Sequence, residues 1–567
     1  MSIYYLHDPI LQSEKNARRE FHWAAYIPEI LSRIGVPYQA WLPGQTADFK
    51  TGDVMLVGSD TLFSQLPDEL TIIGFATQGA DNLFGIKTES TIPQPDGEFS
   101  LNGYFKLDSA AQEKHMNVPD GNPELPIFSP VRIVKSTGAE TLGTGLLRYK
   151  NTFYFTFDLP QTLLVSGQGK PITENAPGYP VGRLPLARVT PLGYNTEIAY
   201  GDYYLYILQN ILADLGYAML HRLPLANDGT IPDFALYYAG DEDACVPAMS
   251  ADAYAFMVSR GLPYHINLMP FGENMSFQLS PEQFDDLRER GCELALHYCM
   301  TGSGGYTFTE ENFNRQYRAY LQKFGVQSIS TVGHCLTHNG YAERMRFLSG
   351  MGIRGDFERC GEYDPVDINA FNKYGFAFGT AFPSFPYDDA QHGNKKIDFV
   401  EAPIAYYEPR IGEKYTDGAK KIHFCLDSAK YFGRMVNLFT HPHYLSALSG
   451  YNVAMTHAAL DESLRYIAEK GYNVIHSAPD KICNFWHGRG KSSVITDGNR
   501  YYVDSATDGL IIRIPTETNN LLVDGNFAEP IYKDIDGRKW LMVAISGEGG
   551  HVIEIESPCQ TPTALGL

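Results

Sequence analysis

The first apolar run, from Ser2 to Leu6, alternates as a strand. The residues after it fall on a helical period that ends near Ile34, with Gly35 placed to stop one long amphipathic helix. A strand-like GVPYQAWLP and a buried-type DVMLVGSD follow, which is the succession of an open α/β domain. From about 78 to 168 the helical period gives way to β-branched and aromatic runs, LPIFSPVRIV and NTFYFTFDLP, broken by Gly, Pro and Asn turns. This predicts β-rich structure inserted in, or appended to, the first domain.

Between about 230 and 486 one unit recurs: strand, polar loop, capped helix, glycine stop, strand. DFALYYAG runs into Asp241, Ser250 stands as the cap of a helix ending at Gly261, and PYHINLMP is the next strand. Ser280-Pro281-Glu282-Gln283 is a capping box with proline at the first helical position, and its helix stops at Gly291. ELALHY then delivers His297. Thr309 opens a helix that Gly325 closes, VQSISTV delivers His334, RMVNLFTHPH delivers His441, and NVIHSAP gives a last strand. About seven strands alternating with helices over ~250 residues predict a distorted (β/α) barrel, whose working groups sit at the C-terminal strand ends. After Trp486 the alternation is strand-like again, from SSVITDG to HVIEIES with Asp-Gly turns, and predicts a small all-β sandwich. The domain boundaries expected from this pattern are 1–200, 201–488 and 489–567.

Composition narrows the function. The 567 residues are 44% hydrophobic and 13% aromatic, enough for several cores. Forty-five Lys plus Arg against 66 Asp plus Glu leave a net charge of −21, which disfavours phosphate backbones and anionic membrane surfaces. Nucleic acid and membrane are therefore excluded as expected partners, and oligomeric state is not readable. MSIYYLHDPI has no basic segment followed by an apolar one, which predicts a cytoplasmic protein. The eight cysteines form no Cys-x-x-Cys pair and read as small hydrophobes in a reducing compartment.

Asp241 and Asp243 are two residues apart, so in an extended segment both carboxylates point to one side. Two acids that close suit a metal ligand beside a general base, and are costly together without a cation; the plain alternative is an acidic turn. His297 and His334 end strands of consecutive βα units, so both imidazoles can reach the same mouth. One carboxylate and two imidazoles make a three-ligand site with positions left open, the pattern of a catalytic metal. His338 is either an alternative ligand or a loop residue, and Cys299 and Cys335 are either soft-metal ligands or packed thiols. In His441-Pro442-His443 a histidine could protonate a leaving group, or the pair could be plain loop. His476 reads as core.

These residues carry a resemblance. The stretch 234–486 resembles a divergent polysaccharide deacetylase (carbohydrate esterase) barrel. The likeness is carried by GDEDA at the acidic strand end, ELALHY at the strand-terminating His, GHCL with GMGIRGDF after it, GFAFGTAFPSFPYDD before FVEAPIAY, and LFTHPH. The front domain resembles the flavodoxin-like and glutamine-amidotransferase-like type, with GTGLLRYKNTFYFTFDLP similar to its closing strands. Amidotransferase chemistry needs a nucleophilic Cys, and the first cysteine here is Cys245, so this resemblance implies a non-catalytic domain.

The deacetylase resemblance implies a divalent metal, usually Zn2+, held by Asp243, His297 and His334, with Asp241 as base and His441 as acid. The assignment between Asp241 and Asp243 stays open. Two positions depart from the family pattern: Thr301, where a second His four residues after His297 is usual, and Gly333, where an Arg often precedes the later His. The function implied is removal of acetyl groups from N- or O-acetylated carbohydrate through a metal-activated water. Tyr298, Tyr341, Phe382, Phe385 and Tyr387 are either sugar-stacking rings or core. The rival readings are hydrolysis of a non-sugar amide and a catalytically inactive carbohydrate-binding protein.

Overall fold

The computed structural model describes residues 1–45, 48–59, 70–77, 86–136, 138–173, 184–185, 192, 197–243, 245–299, 308–360 and 371–556. Thr301 and Cys559 lie outside the described residues, and the seven cysteines within them are free thiols. No helix among the described residues is long and apolar enough to cross a membrane.

The front of the chain forms a nine-stranded sheet. Gln39–Trp41, Ile3–Leu6, Val54–Val57, Thr71–Phe75 and Thr152–Phe155 are parallel in that spatial order. In chain order these five run 2-1-3-4-5, the doubly wound arrangement. The β-rich segment enters between the fourth and fifth of them and extends the sheet with antiparallel strands ending at Leu125–Ile127. The single long helix expected before Gly35 is broken. Pro9–Arg18 ends at Arg19, whose left-handed backbone (φ 58) caps it; a 3-10 turn Trp23–Tyr26 follows, and Pro28 restarts the helix in Ile27–Ile34. Gly35 does stop it, at φ 94. The helix Tyr200–Asp214, which the boundary at 200 assigns to the barrel, packs into the core of the front sheet through Tyr204, Ile207, Leu208 and Ile211.

The second sheet is ten-stranded and is an open, half-closed barrel. Every neighbouring pair is parallel from Tyr406–Tyr407 through Met435–Phe439, Phe234–Asp241, His265–Leu268, Glu293–Tyr298, Ser330–Gly333 and Gly355–Asp356 to Val400–Glu401. No pairing joins Val400–Glu401 to Tyr406–Tyr407 among the described residues, so the sheet does not close. All eight residues of Phe234–Asp241 are buried, as a central parallel strand requires. The capping box at Ser280 forms, and Thr309 caps Glu310–Phe324. Ser250 does not cap its helix: Pro247 starts Pro247–Ser259 with its preset φ, and Ser250 is buried inside it.

The C-terminal strands form a sandwich of a four-stranded and a five-stranded antiparallel sheet around Val503, Ile512, Leu541 and Ile553. The first of these sheets takes its edge strand, Met219–Leu220, from far upstream in the chain. The three units are joined by buried polar contacts. Asp202 accepts from Arg33 (3.0 Å), the Thr380 hydroxyl (2.7 Å) and the Ala381 N–H (2.8 Å). Arg489, on the helix Pro479–Lys491 that follows the last barrel strand, donates to the carbonyls of Ser32, Arg33, Leu220 and His221.

Among the histidines that burial holds neutral, His115 in the front unit and His476 on the last barrel strand are each pushed down to about 4. Their folded values lie below the usual 6.5, so between those limits the unfolded chain binds protons that the folded chain refuses. Their contribution to stability is complete above pH ~6.5 and is lost as pH falls toward 4. Urea midpoints are therefore expected to fall over that window, and His115→Phe should flatten part of the decline, measured by circular dichroism.

Candidate metal centre

Five side chains converge at the C-terminal ends of the parallel strands. Asp241 is the last residue of Phe234–Asp241, and Asp243 sits in the turn two residues on. His297 lies within Glu293–Tyr298, His334 begins a 3-10 turn directly after Ser330–Gly333, and His441 stands two residues past Met435–Phe439. Gly240 makes the approach possible. A Cβ there would overlap the Thr440 carbonyl oxygen and the Tyr264 hydroxyl, which are themselves hydrogen-bonded.

Asp243 is the centre of the cluster. Its Oδ1 is 2.9 Å from His297 Nε2, and its Oδ2 is 3.3 Å from His334 Nε2 and 3.7 Å from His441 Nε2. Asp241 stands to one side, with Oδ2 3.4 Å from His297 Nε2 and Oδ1 accepting from Asn267 Nδ2 at 3.0 Å. Ligand atoms of Asp241, Asp243 and His297 lie within 4.8 Å of one another. The electrostatics follow from this crowding. Burial works against ionisation of Asp243, yet the facing imidazoles of His297, His334 and His441 hold its carboxyl well below the usual range. Asp241, buried with weaker compensation, is pushed up. Burial opposes charging of His297, His334 and His441, and the carboxylates outweigh it and raise all three.

The donor set fits a divalent cation. His297 Nδ1 lies 2.9 Å from the Val332 carbonyl, which fixes that nitrogen as a donor and leaves Nε2 to face Asp243 with a proton or, once that proton is displaced, with a lone pair. This Nε2 and Asp243 Oδ1 are both buried, and neither finds a hydrogen-bond partner although they face each other. A carboxylate and a ring nitrogen held face to face in this way are stabilised by a positive charge between them, a proton or a divalent cation. Two imidazole nitrogens and a carboxylate oxygen suit zinc and similar first-row ions.

The neighbouring candidates take other places. Cys299 Sγ is 3.6 Å from His334 Nδ1, the ring nitrogen turned away from Asp243, so the thiol is a backing contact. His338 is buried against the Tyr341 carbonyl at 3.2 Å, and burial holds it neutral at about 3. His443 is likewise held at about 3 by burial and by His441, with Cys245 Sγ 3.9 Å from its Nδ1. At Gly333 the space an Arg side chain would start from is filled by the Arg344 guanidinium, which pairs with Glu358 and, at 3.4 Å, with Asp356.

The five aromatic residues considered for sugar stacking are all buried, between 1% and 5% exposed. Tyr298 packs on Phe313, Tyr341 on Phe21, Phe382 under Arg222, Phe385 beside His487 and Tyr387 on Tyr26. Phe382, Phe385 and Tyr387 are core because the front unit clamps their segment through Asp202, Glu29 and Gln168.

One site residue escaped the sequence reading. Glu408 Oε1 accepts from His441 twice, from Nδ1 at 2.6 Å and from the backbone N–H at 2.9 Å. It is fully buried, directly after the two-residue strand Tyr406–Tyr407. The available signal was an acid at the end of the mostly apolar run FVEAPIAYY.

No protein-family model and no curated protein matches the chain. Among solved structures it is similar to the Xyl-CE4 domain of a multidomain xylanase from the hindgut metagenome of Trinervitermes trinervoides, at 10% identity over 44% of this chain and 90% of that one (TM-score 0.23). It is also similar to a protein from Bordetella bronchiseptica described as a polysaccharide deacetylase of O-antigen biosynthesis, at 12% identity over 46% and 92% (TM-score 0.23). A third, a T48 deacetylase with substrate, matches at 10% identity over 45% and 95% (TM-score 0.22).

Two outcomes are expected. Zinc bound to the purified wild type, measured by elemental analysis, should be absent from His297→Ala and His334→Ala, whereas Cys299→Ala should retain it. Gly240→Ala should cost about 3 kcal/mol of stability through overpacking, read as a lowered unfolding midpoint together with lost metal.

Proposed function

We propose that the chain is a metal-dependent hydrolase that removes acetyl groups from N- or O-acetylated carbohydrate. The observation that carries this is the single carboxylate of Asp243 facing three strand-end imidazoles, one of them His297 with a buried Nε2 2.9 Å from Asp243 Oδ1. Asp243, His297 and His334 would hold the ion, and Asp241 and His441 flank it. A divalent cation there, zinc by the donor types, supplies Lewis acidity and brings the pKa of water toward ~7.

The chain's own residues then divide the proton work. Asp241 has Oδ1 committed to Asn267, so Oδ2 is the oxygen that takes a proton from the attacking water, and its raised affinity for protons suits a base. His441 is oriented through Nδ1 by Glu408, so Nε2 is the nitrogen that delivers a proton to the departing amine or alcohol. With the proton delivered, the leaving group departs neutral while Glu408 stabilises the imidazolium that precedes transfer. The sugar assignment comes from the deacetylase-like motif order in 234–486. Tyr451, 54% exposed, and Tyr444, packed 5.2 Å from it and 6.2 Å from His441, give a ring surface beside the site that a pyranose face can meet.

The burial of the five other aromatic residues favours, as a second reading, hydrolysis of a smaller non-sugar amide. Acetate release from N-acetylated and O-acetylated oligosaccharides and from simple acetamides, with zinc supplied, separates the two. Oligosaccharide turnover is expected, with Asp241→Asn and His441→Ala lowering kcat by about 10²–10⁴-fold. Turnover confined to acetamides would select the second reading, and turnover of neither class would overturn both.

A further inference from the structure

Asp241 is held from behind by polar side chains that run through the barrel interior. The parallel register places Asp241 beside Asn267, Ala239 beside His265, and His265 beside Glu293. Side chains two apart on a strand share a face, so His265 and Asn267 stand one behind the other, both at most 1% exposed.

The order of donors along this line is fixed by its ends. Asn267 Nδ2 lies 3.0 Å from Asp241 Oδ1 and 3.3 Å from the Gly240 carbonyl oxygen, two groups that only accept when the acid is ionised. The amide NH2 therefore faces Asp241, and Oδ1 is turned back to His265 Nε2 at 3.1 Å, which must donate. His265 Nδ1 meets Glu293 Oε2 at 3.2 Å and Asp480 Oδ1 at 3.9 Å, again acceptors. Both acids are anchored at the far end of the barrel. Glu293 Oε2 takes the Asp480 N–H at 2.8 Å, and Asp480 Oδ1 takes the hydroxyl and N–H of Ser330 at 2.6 and 3.1 Å. Burial opposes charging of His265, and Glu293 with Asp480 outweighs it, raising the ring above the usual value.

We propose that His265 and Asn267 are positioning residues for Asp241: an imidazole donating from both nitrogens locks the Asn267 amide with its NH2 toward the carboxylate. This commits Oδ1 and leaves Oδ2 alone to face His297 and the reacting water. A ring without a proton on Nε2 would let the amide turn over and set its oxygen against Asp241. The catalytic consequence rests on the hydrolase reading above, whereas the hydrogen-bond order rests on the barrel alone.

The test therefore has two arms. Ring-15N NMR of the full chain with labelled histidine, His265 assigned by its absence in His265→Gln, is expected to show both ring nitrogens protonated at neutral pH. In acetate release, His265→Leu and Asn267→Leu are expected to lower kcat by about 10–100-fold with KM and bound zinc unchanged. His265→Gln, whose Nε2–H can still donate to Asn267, should recover most of the loss. A His265 ring with one bare nitrogen, or wild-type kcat in His265→Leu, would overturn the proposal. Wild type that releases no acetate from any substrate sinks the hydrolase reading, and the NMR arm still decides the hydrogen-bond order.

Discussion

The structure depends on placing a half-buried carboxylate at the strand ends and neutralising it there. Asp243 stands where the central buried strand of the barrel ends, and three imidazoles from three other strands are turned toward it. An unpaired carboxylate in such a place would take up a proton. The parallel register brings the strands to one level, Gly240 removes the side chain that would hold them apart, and the histidines supply the compensating charge. Each of these features makes sense only with the others present.

The two acids illustrate how environment, and not residue type, sets proton affinity. Asp243 is surrounded by nitrogen donors and is driven toward ionisation, whereas Asp241, two residues earlier, is more deeply buried and keeps a stronger hold on protons. Pairs of titratable groups whose surroundings push them apart are the usual arrangement for separating a ligand or stabiliser from a proton acceptor. The histidines divide in the same way. His441 is supported by a buried glutamate and held as a cation, whereas its neighbour His443 is held neutral by burial and by His441 itself.

Much of this was legible in the chain, for identifiable reasons. Asp241, His297, His334 and His441 each follow an apolar run long enough to read as a buried strand, so a polar residue at its end stands out. Glu408 did not stand out because its strand has only two residues and its helix lies well downstream. His265 and Asn267 did carry a signal, two polar residues spaced by two inside a strand whose four residues are all buried, but a strand pattern does not say which neighbour satisfies them. The aromatic residues stayed undecided between sugar-stacking rings and core for a related reason. Phe382, Phe385 and Tyr387 follow the barrel's polar loops in sequence, but their partners are Glu29, Gln168 and Asp202, and contacts of that sequence separation leave no periodicity. The open seam of the barrel was equally invisible, since it is the lack of a pairing between short strands.

Arg489 has an evolutionary consequence. A guanidinium that belongs to the barrel's last helix is satisfied by four carbonyls, two at the end of a helix in the front unit and two beside the strand lent to the sandwich. Burial, with Arg222 and Arg513 nearby, pushes it down to about 9, so it remains a cation at neutral pH. A gene fusion that swapped any one unit for a homologous piece would have to reproduce backbone positions in the other two to within a hydrogen bond. The seams between the three parts are thus matched to one another atom by atom, and exchange of one part alone would leave a buried guanidinium without its carbonyls.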